Sequence, residues 1–399
     1  MTALSLTANR PQRTAGGLWI AIGLSIGAAV SLGFSRFAYA LLLPPMRASL
    51  HWTYAQAGGM NTANALGYVF GSAIAAWLSR RMGIQRAFLV TLAVSGIVLV
   101  LTGLTADYAA LMALRLVGGF ATAITFIVGA SLAAGLNPAG TPQRAALALA
   151  IYITGVGSGI AVSGLVVPAL LARLGATGWP AGWIAMGALS LAAMWPAAVA
   201  TRRVPPQAAR DEGVMPWKDV VLLWPTFANY LLFAAGYVSY MTFIIVLIHN
   251  SGGGAGYIAA FWVVLGLASV LGTLGWGRVL PRLGIRLGSP VVAVVVLLGT
   301  LPVLISPTVS AAFISALVFG ASFMAGPTAV TVIVRKLLRP QTWTAALAAL
   351  TVAFAIGQAI GPLASGLVSD ATGSVSAGLW LAPVLLIAAA LVALFQRAH

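Results

Sequence analysis

From Gly16 onward the chain is cut into apolar runs of about 20 residues or more, separated by short polar stretches. A run of that kind in lipid must satisfy its own backbone N–H and C=O groups, which leaves helices or a closed β-barrel. The runs are rich in Gly, Ala, Leu and Val and show no period-2 alternation, so helices are selected. Only 7% of the 399 residues are charged. A soluble domain carries about 25%, so this chain could not cover a water-facing surface of its size. The expected fold class is an all-α membrane protein with twelve transmembrane helices. The approximate spans are 16–43, 54–79, 86–105, 108–136, 143–172, 179–201, 219–249, 255–280, 286–306, 308–337, 342–369 and 374–396. The first span follows Arg10 and Arg13, is too long for a signal-peptide core, and is expected to be retained.

The net charge of +16 does not point to nucleic acid, because the charges lie in small clusters between the runs. With the N-terminus inside and the spans alternating, seventeen of the 21 basic residues fall on the inner side. Only Arg47 and Arg173 fall on the outer side, while Arg36 and Arg115 lie within apolar runs. That bias places both termini in the cytoplasm. The absence of cysteine excludes disulfides and thiolate chemistry. His51, His249 and His399 have no ligand spacing, so no metal and no cofactor are expected.

The longest polar stretch, TRRVPPQAARDEGVMPWKD, lies near the midpoint and reads as a linker. The expected organisation is one six-helix bundle in 1–201, a cytoplasmic linker in 202–218 and a second bundle in 219–399. A repeat supports it. RRMGI at Arg80–Ile84 recurs as PRLGI at Pro281–Ile285, an offset of 201 that also pairs Tyr39 with Tyr240. At an offset of 202, Gly155, Gly159, Ser163 and Gly164 pair with Gly357, Gly361, Ser365 and Gly366. Six spans per half is an even number, so the halves are parallel pseudo-symmetric bundles related by an axis along the membrane normal.

Twelve spans, a basic central loop and this repeat resemble the major facilitator superfamily. Members carry G-x-L-a-D-R-x-G-R between their second and third helices. AWLSRRMGI keeps Leu78, Arg81 and Gly83 but has Arg80 at the acidic position. GRVLPRLGI keeps Gly277, Arg282 and Gly284 but has Pro281 there. The family's acidic lock is thus missing from both copies. RLVGG at Arg115–Gly119 matches the R-x-x-x-G of the fourth helix, and GVGSGIAVSG matches a glycine-rich fifth. GFSRFAYALLLPPM, NTANALGY and FAIGQAIGPLASG resemble a narrower group, the bacterial YbfB/YjiJ-type transporters. The resemblance implies the major facilitator fold in the bacterial inner membrane and alternating access without enzymatic activity. It implies a small-molecule substrate, a monomer in the lipid bilayer and no nucleic-acid partner. It assigns gating to Arg81, Gly83, Arg282 and Gly284, to which Gly361 and Pro362 in the eleventh span add a bend.

Arg36 is the residue that bears most on substrate. At a helix centre arginine costs about 2.5–3.5 kcal/mol to insert. Either it faces a central cavity and meets an anionic group, or it snorkels to the interface or onto backbone carbonyls. Tyr39, three residues on, is expected to share its face. Arg115 either serves substrate and coupling or is a structural tie to Asp107 or to carbonyls of a neighbouring helix. Asn61, Asn64 and Tyr68 form one polar stripe at i, i+3, i+7 that either lines the cavity or bonds a neighbour. Tyr237, the repeat partner of Arg36, together with Tyr240 and Gln358 completes the expected cavity set. No carboxylate lies deep in a span. Asp107 and Asp370 sit at outer span ends, and Asp211, Glu212 and Asp219 lie in the central loop. A buried carboxylate proton carrier and a cationic substrate are therefore disfavoured, and a small organic anion is expected. An exporter of lipophilic compounds is the alternative.

Overall fold

The computed structural model describes residues 14–136, 142–204 and 215–396. Arg10, Arg13, Arg210, Asp211, Glu212, Arg397, His399 and the middle of the expected linker lie outside that set. The described residues are helical throughout, with no strand among them. We number the long helices α1 Gly17–Leu50, α2 Tyr54–Met82, α3 Ile84–Thr102, α4 Tyr108–Ala134, α5 Pro142–Leu174 and α6 Ala176–Arg202. After a short helix at Trp217–Leu222 come α7 Trp224–Asn250, α8 Ala255–Ile305, α9 Val309–Leu337, α10 Pro340–Thr372 and α11 Val375–Ala393. Ten of these, all except α2, are long and apolar enough to cross a membrane. In α2 the polar stripe and the terminal Arg80 and Arg81 dilute 29 otherwise apolar residues.

Local chemistry sets the ends. Thr53 and Gln56 form a reciprocal capping box at the start of α2, and Asp107 caps α4 by accepting from the Ala110 N–H at 2.8 Å. The repeated RRMGI and PRLGI segments end alike. Gly83 (φ 87°) separates α2 from α3, and Gly284 (φ 71°) breaks α8 into two arms, 255–283 and 285–305. Only glycine adopts that conformation without strain.

The helices run back and forth between two ends. We call near the end where the chain enters α1 and leaves α11, and far the end where α1 stops and α2 begins. Trp19, Trp195, Trp217 and Trp224 are exposed at the near end, as for rings seated at a membrane interface. Leu165, Leu271 and Ile360 expose apolar side chains farther along. α7 is almost wholly enclosed, and α1 is buried from Val30 to Pro44. Around them α2 packs on α10, and α5 packs on the first arm of α8. Small residues let these pairs approach closely. A Cβ at Gly58 would collide with the Pro362 carbonyl, one at Gly366 with the Tyr54 carbonyl, and one at Gly157 with the Gly266 carbonyl.

Candidate functional site

The middle of α1 is not regular. Ala29–Phe37 is a π-helix, closed by the Ala38 N–H donating to the Gly33 carbonyl five residues back. Such wide turns are frequent at functional positions because they re-aim one side chain. Here the segment carries Arg36. Its guanidinium lies 5.6 Å from the ring centre of Tyr68 on α2, and the adjacent Phe37 meets Phe323 edge-on at 5.7 Å, a ring that also adjoins Tyr237 on α7. Arg36 is 4% exposed, and its Nε and Nη2 are enclosed without a hydrogen-bond partner. Tyr39 goes elsewhere. Its hydroxyl donates to the Ala57 carbonyl at 2.8 Å and its ring stacks on Trp183 of α6. The expectation that Arg36 and Tyr39 share a face assumed a regular helix, and they meet different neighbours.

Arg115 on α4 is equally buried, but each of its nitrogens has a partner. Nη1 donates to the Ser35 carbonyl at 2.5 Å, Nη2 to Asn61 Oδ1 at 2.9 Å and Nε to the Met60 carbonyl at 3.4 Å. The cation also lies over the rings of Tyr39 and Trp183, at 4.9 and 5.7 Å. Of the two roles open to it, this geometry is the tie to neighbouring helices, with carbonyls rather than Asp107 as partners. The stripe on α2 divides. Asn64 donates to the Arg115 carbonyl at 3.2 Å, inside the first half of the chain. Asn61 accepts from Arg115 and donates to Thr242 on α7 at 2.7 Å, so it bridges the two halves. Tyr68 stands beneath Arg36.

On the other side, Gln358 of α10 donates through Nε2 to the Tyr237 hydroxyl, and its Oε1 has no partner. Tyr237 belongs to a sheet of rings. Phe354 lies 5.8 Å from it, Phe323 5.9 Å, and Tyr230 stacks on Phe354 at 4.3 Å. Tyr240, the repeat partner of Tyr39, turns into its own half in the same manner, hydrogen-bonded to Ser315 at 2.6 Å and packed on Phe319. Arg36, Tyr68, Tyr237 and Gln358 therefore converge, whereas Tyr39, Asn64, Arg115 and Tyr240 bind within their halves. A small cavity lined by Arg36, Phe37, Ala40, Asn61, Val238, Met241 and Thr242 adjoins the cluster and has room for about one water. A wider cleft near Lys218, Trp224 and Arg339 at the near end holds none of these residues.

Farther out, the halves are tied again. Asp370 at the end of α10 accepts from the Tyr54 and Ala55 N–H groups at 2.7 and 2.8 Å, covering the first turn of α2. The Arg47 guanidinium lies 3.7 Å over the Tyr54 ring. Thr62 donates to the Ala359 carbonyl at 2.6 Å, and Trp262 donates to Ser163 Oγ at 3.3 Å. All of these contacts lie in the far half of the molecule. At the near end Arg81 and Arg282 are exposed, with Arg81 against Trp77, and Lys336 donates to the Pro281 carbonyl at 3.3 Å. Gly361 packs on the Ala235 carbonyl of α7, and Pro362 lies over Gly58.

A buried cation thus meets side chains from both the first and the second half of the sequence. Residues 28–394 match the family model described as an uncharacterised MFS-type transporter YbfB. The chain belongs to this family. A bacterial homologue of the human lysosomal transporter Spinster, in an inward-facing and unoccupied conformation, superposes with a TM-score of 0.74 at 18% identity, covering 96% of this chain and 98% of that one. The occupied, inward-facing form of a bacterial Spinster homologue gives 0.71 at 16%, covering 97% of each chain. The nucleoside transporter NupG gives 0.68 at 16%, covering 96% and 99%. These identities carry the fold alone. The YbfB-type chain is thus a multi-pass membrane protein of a transporter family, taking a small-molecule substrate.

The residues that sequence reasoning missed are Thr242, Phe354, Tyr230, Phe323 and the bonding role of Asp370. The aromatic ones looked like ordinary apolar positions. Asp370 stood out as a rim carboxylate, but nothing near it in sequence named its partners.

Proposed function

We propose that the protein is a secondary transporter moving a small organic anion by alternating access across a bacterial cytoplasmic membrane, with both termini inside. Counting α2 and the two arms of α8 gives twelve spans, six in 1–201 and six in 219–399, joined by 202–218. The substrate site lies where α1, α2, α7 and α10 meet. The observation that carries this reading is Arg36, a buried cation with two unpartnered nitrogens and no acidic residue among the span residues beside it. A charge so placed is costly unless a counter-charge arrives. Arg115 is held otherwise, since each of its three nitrogens already donates to a neighbouring helix. The far-half contacts support a form closed at the outer end, and the inward-facing Spinster homologue, with its TM-score of 0.74, is in keeping with that. Arg81, Gly83, Arg282 and Gly284 form the near-end joints of the moving halves, while Gly361 and Pro362 form the seam with α7 and α2. No cofactor and no nucleic acid take part, and the unit is a monomer.

The aromatic sheet favours a second reading, an exporter of lipophilic compounds. Thermal shifts in detergent separate the two. Ligand at about 100-fold over Kd stabilises by about 2.7 kcal/mol. Small carboxylates that stabilise wild type but not Arg36→Gln, and that move into liposomes, support the anion reading. Lipophilic cations that stabilise both proteins equally refute it.

A further inference from the structure

We infer that the anion is an aromatic monocarboxylate, with a ring hydroxyl favoured. This rests on the anion reading and narrows it. The two halves bring different chemistry to the same place. The first half brings Arg36 and the Tyr68 ring. The second half brings a continuous aromatic wall, in which Tyr230 stacks on Phe354 and both Phe354 and Phe323 adjoin Tyr237. A ligand that spans both must be charged at one end and flat at the other. Aromatic faces hold a planar ring in offset or edge contact, a preference that a puckered ring of the same size does not meet.

The free donors set the valence. Two arginines are buried in the core of the first half, but each guanidinium nitrogen of Arg115 already has an acceptor, on Ser35, Asn61 or Met60. One carboxylate fills the enclosed Nε and Nη2 of Arg36, and a second carboxylate on the same ring meets no other unpartnered cationic nitrogen in this cluster. A carboxylate also matches the fork of a guanidinium, accepting from two N–H groups at once.

Gln358 adds the third feature. Its Oε1 is enclosed without a partner beside Tyr237. A hydroxyl both donates and accepts, so a ring hydroxyl satisfies the amide in either orientation. An unpartnered buried amide oxygen is otherwise a standing cost. In the form described, only a water-sized space adjoins Arg36, so the ring enters when the halves part.

The test is thermal shift of the full chain in detergent, with 4-hydroxybenzoate, benzoate, cyclohexanecarboxylate, acetate, phthalate and benzyl alcohol titrated against wild type, Arg36→Gln and Phe354→Leu. We expect 4-hydroxybenzoate and then benzoate to bind wild type, cyclohexanecarboxylate and phthalate to bind at least tenfold more weakly, and Arg36→Gln to bind none. Phe354→Leu should lose the preference for benzoate over cyclohexanecarboxylate. If that variant fails to fold, the ligand series on wild type decides alone. Equal binding of benzoate, cyclohexanecarboxylate and acetate, all lost in Arg36→Gln, overturns the aromatic class but leaves the anion reading intact. Benzyl alcohol acting as well as benzoate on both wild type and Arg36→Gln overturns both. No response to any aromatic carboxylate at 10 mM, as an upper titration limit of about 1000 times a 10 μM Kd, also overturns the inference.

Discussion

Replacing Asp370 by Asn should loosen the far end of the transporter. The carboxylate holds the first two N–H groups of α2 from the other half of the chain, at 2.7 and 2.8 Å. Those donors have no acceptor within their own helix. A hydrogen bond to a charged group contributes about 1.5–3 kcal/mol, and a negative charge at a helix N-terminus adds about 0.3–1 kcal/mol. Asn keeps one acceptor oxygen and loses the charge and the second bond. Because Asp370 is exposed, water competes for these donors and the low end of the range applies. The expected loss is about 1.5 kcal/mol, or roughly tenfold in the equilibrium between far-end-closed and far-end-open forms. An open fraction of about 2% would rise to about 17%. The chain has no cysteine, so Ala106→Cys and Asn250→Cys, both exposed at the far end, give a unique pair for spin labels. Pulsed dipolar distances in liposomes should gain a longer component in Asp370→Asn. Superimposable distance distributions in the two proteins would refute the reasoning.

Three further outcomes are expected. Arg115→Gln should lower the unligated melting point, by about 2–3 kcal/mol for the lost charged bonds, while ligand stabilisation through Arg36 persists; loss of ligand response with an unchanged melting point would make Arg115 a substrate contact. Gly83→Ala and Gly284→Ala should each cost about 1–2 kcal/mol, because both positions lie in the left-handed region, and a neutral melt at either would contradict that. A double-mutant cycle on Asn61→Leu and Thr242→Val should give a coupling of about 0.6–1.7 kcal/mol, as for other hydrogen bonds between membrane helices, and additivity would mean the bridge has no net worth.

Much of the architecture is legible before any coordinates, because lipid restricts the backbone so severely. The apolar runs locate the helices, and RRMGI and PRLGI mark two glycines that both adopt left-handed conformations. The solitary charge of Arg36 is legible too, since the inventory of acidic residues is so short. Its direction is not. A 3.6-residue period places Tyr39 beside it, and the π turn breaks that period without any local signature in Ala29–Phe37. Arg115 reads as a second site residue because its partners are mostly backbone carbonyls, to which sequence is blind. Asp370 and Tyr54 lie 316 residues apart, and no spacing rule joins them. The wall of Tyr230, Phe354 and Phe323 hides in plain view, because aromatic residues in apolar helices serve packing by default.

The glycine contacts between the halves bear on speed as well as on shape. Gly58, Gly157 and Gly366 set backbone against backbone along the seam. Surfaces of that kind part without any side chain changing rotamer. The seam is smooth, with little friction of its own. Resistance to parting then resides in a few discrete catches: Asn61 on Thr242, Thr62 on Ala359, Trp262 on Ser163, and Asp370 on the head of α2. A barrier made of so few pieces can be raised or lowered one residue at a time, so turnover can be retuned without disturbing the surfaces that keep water out.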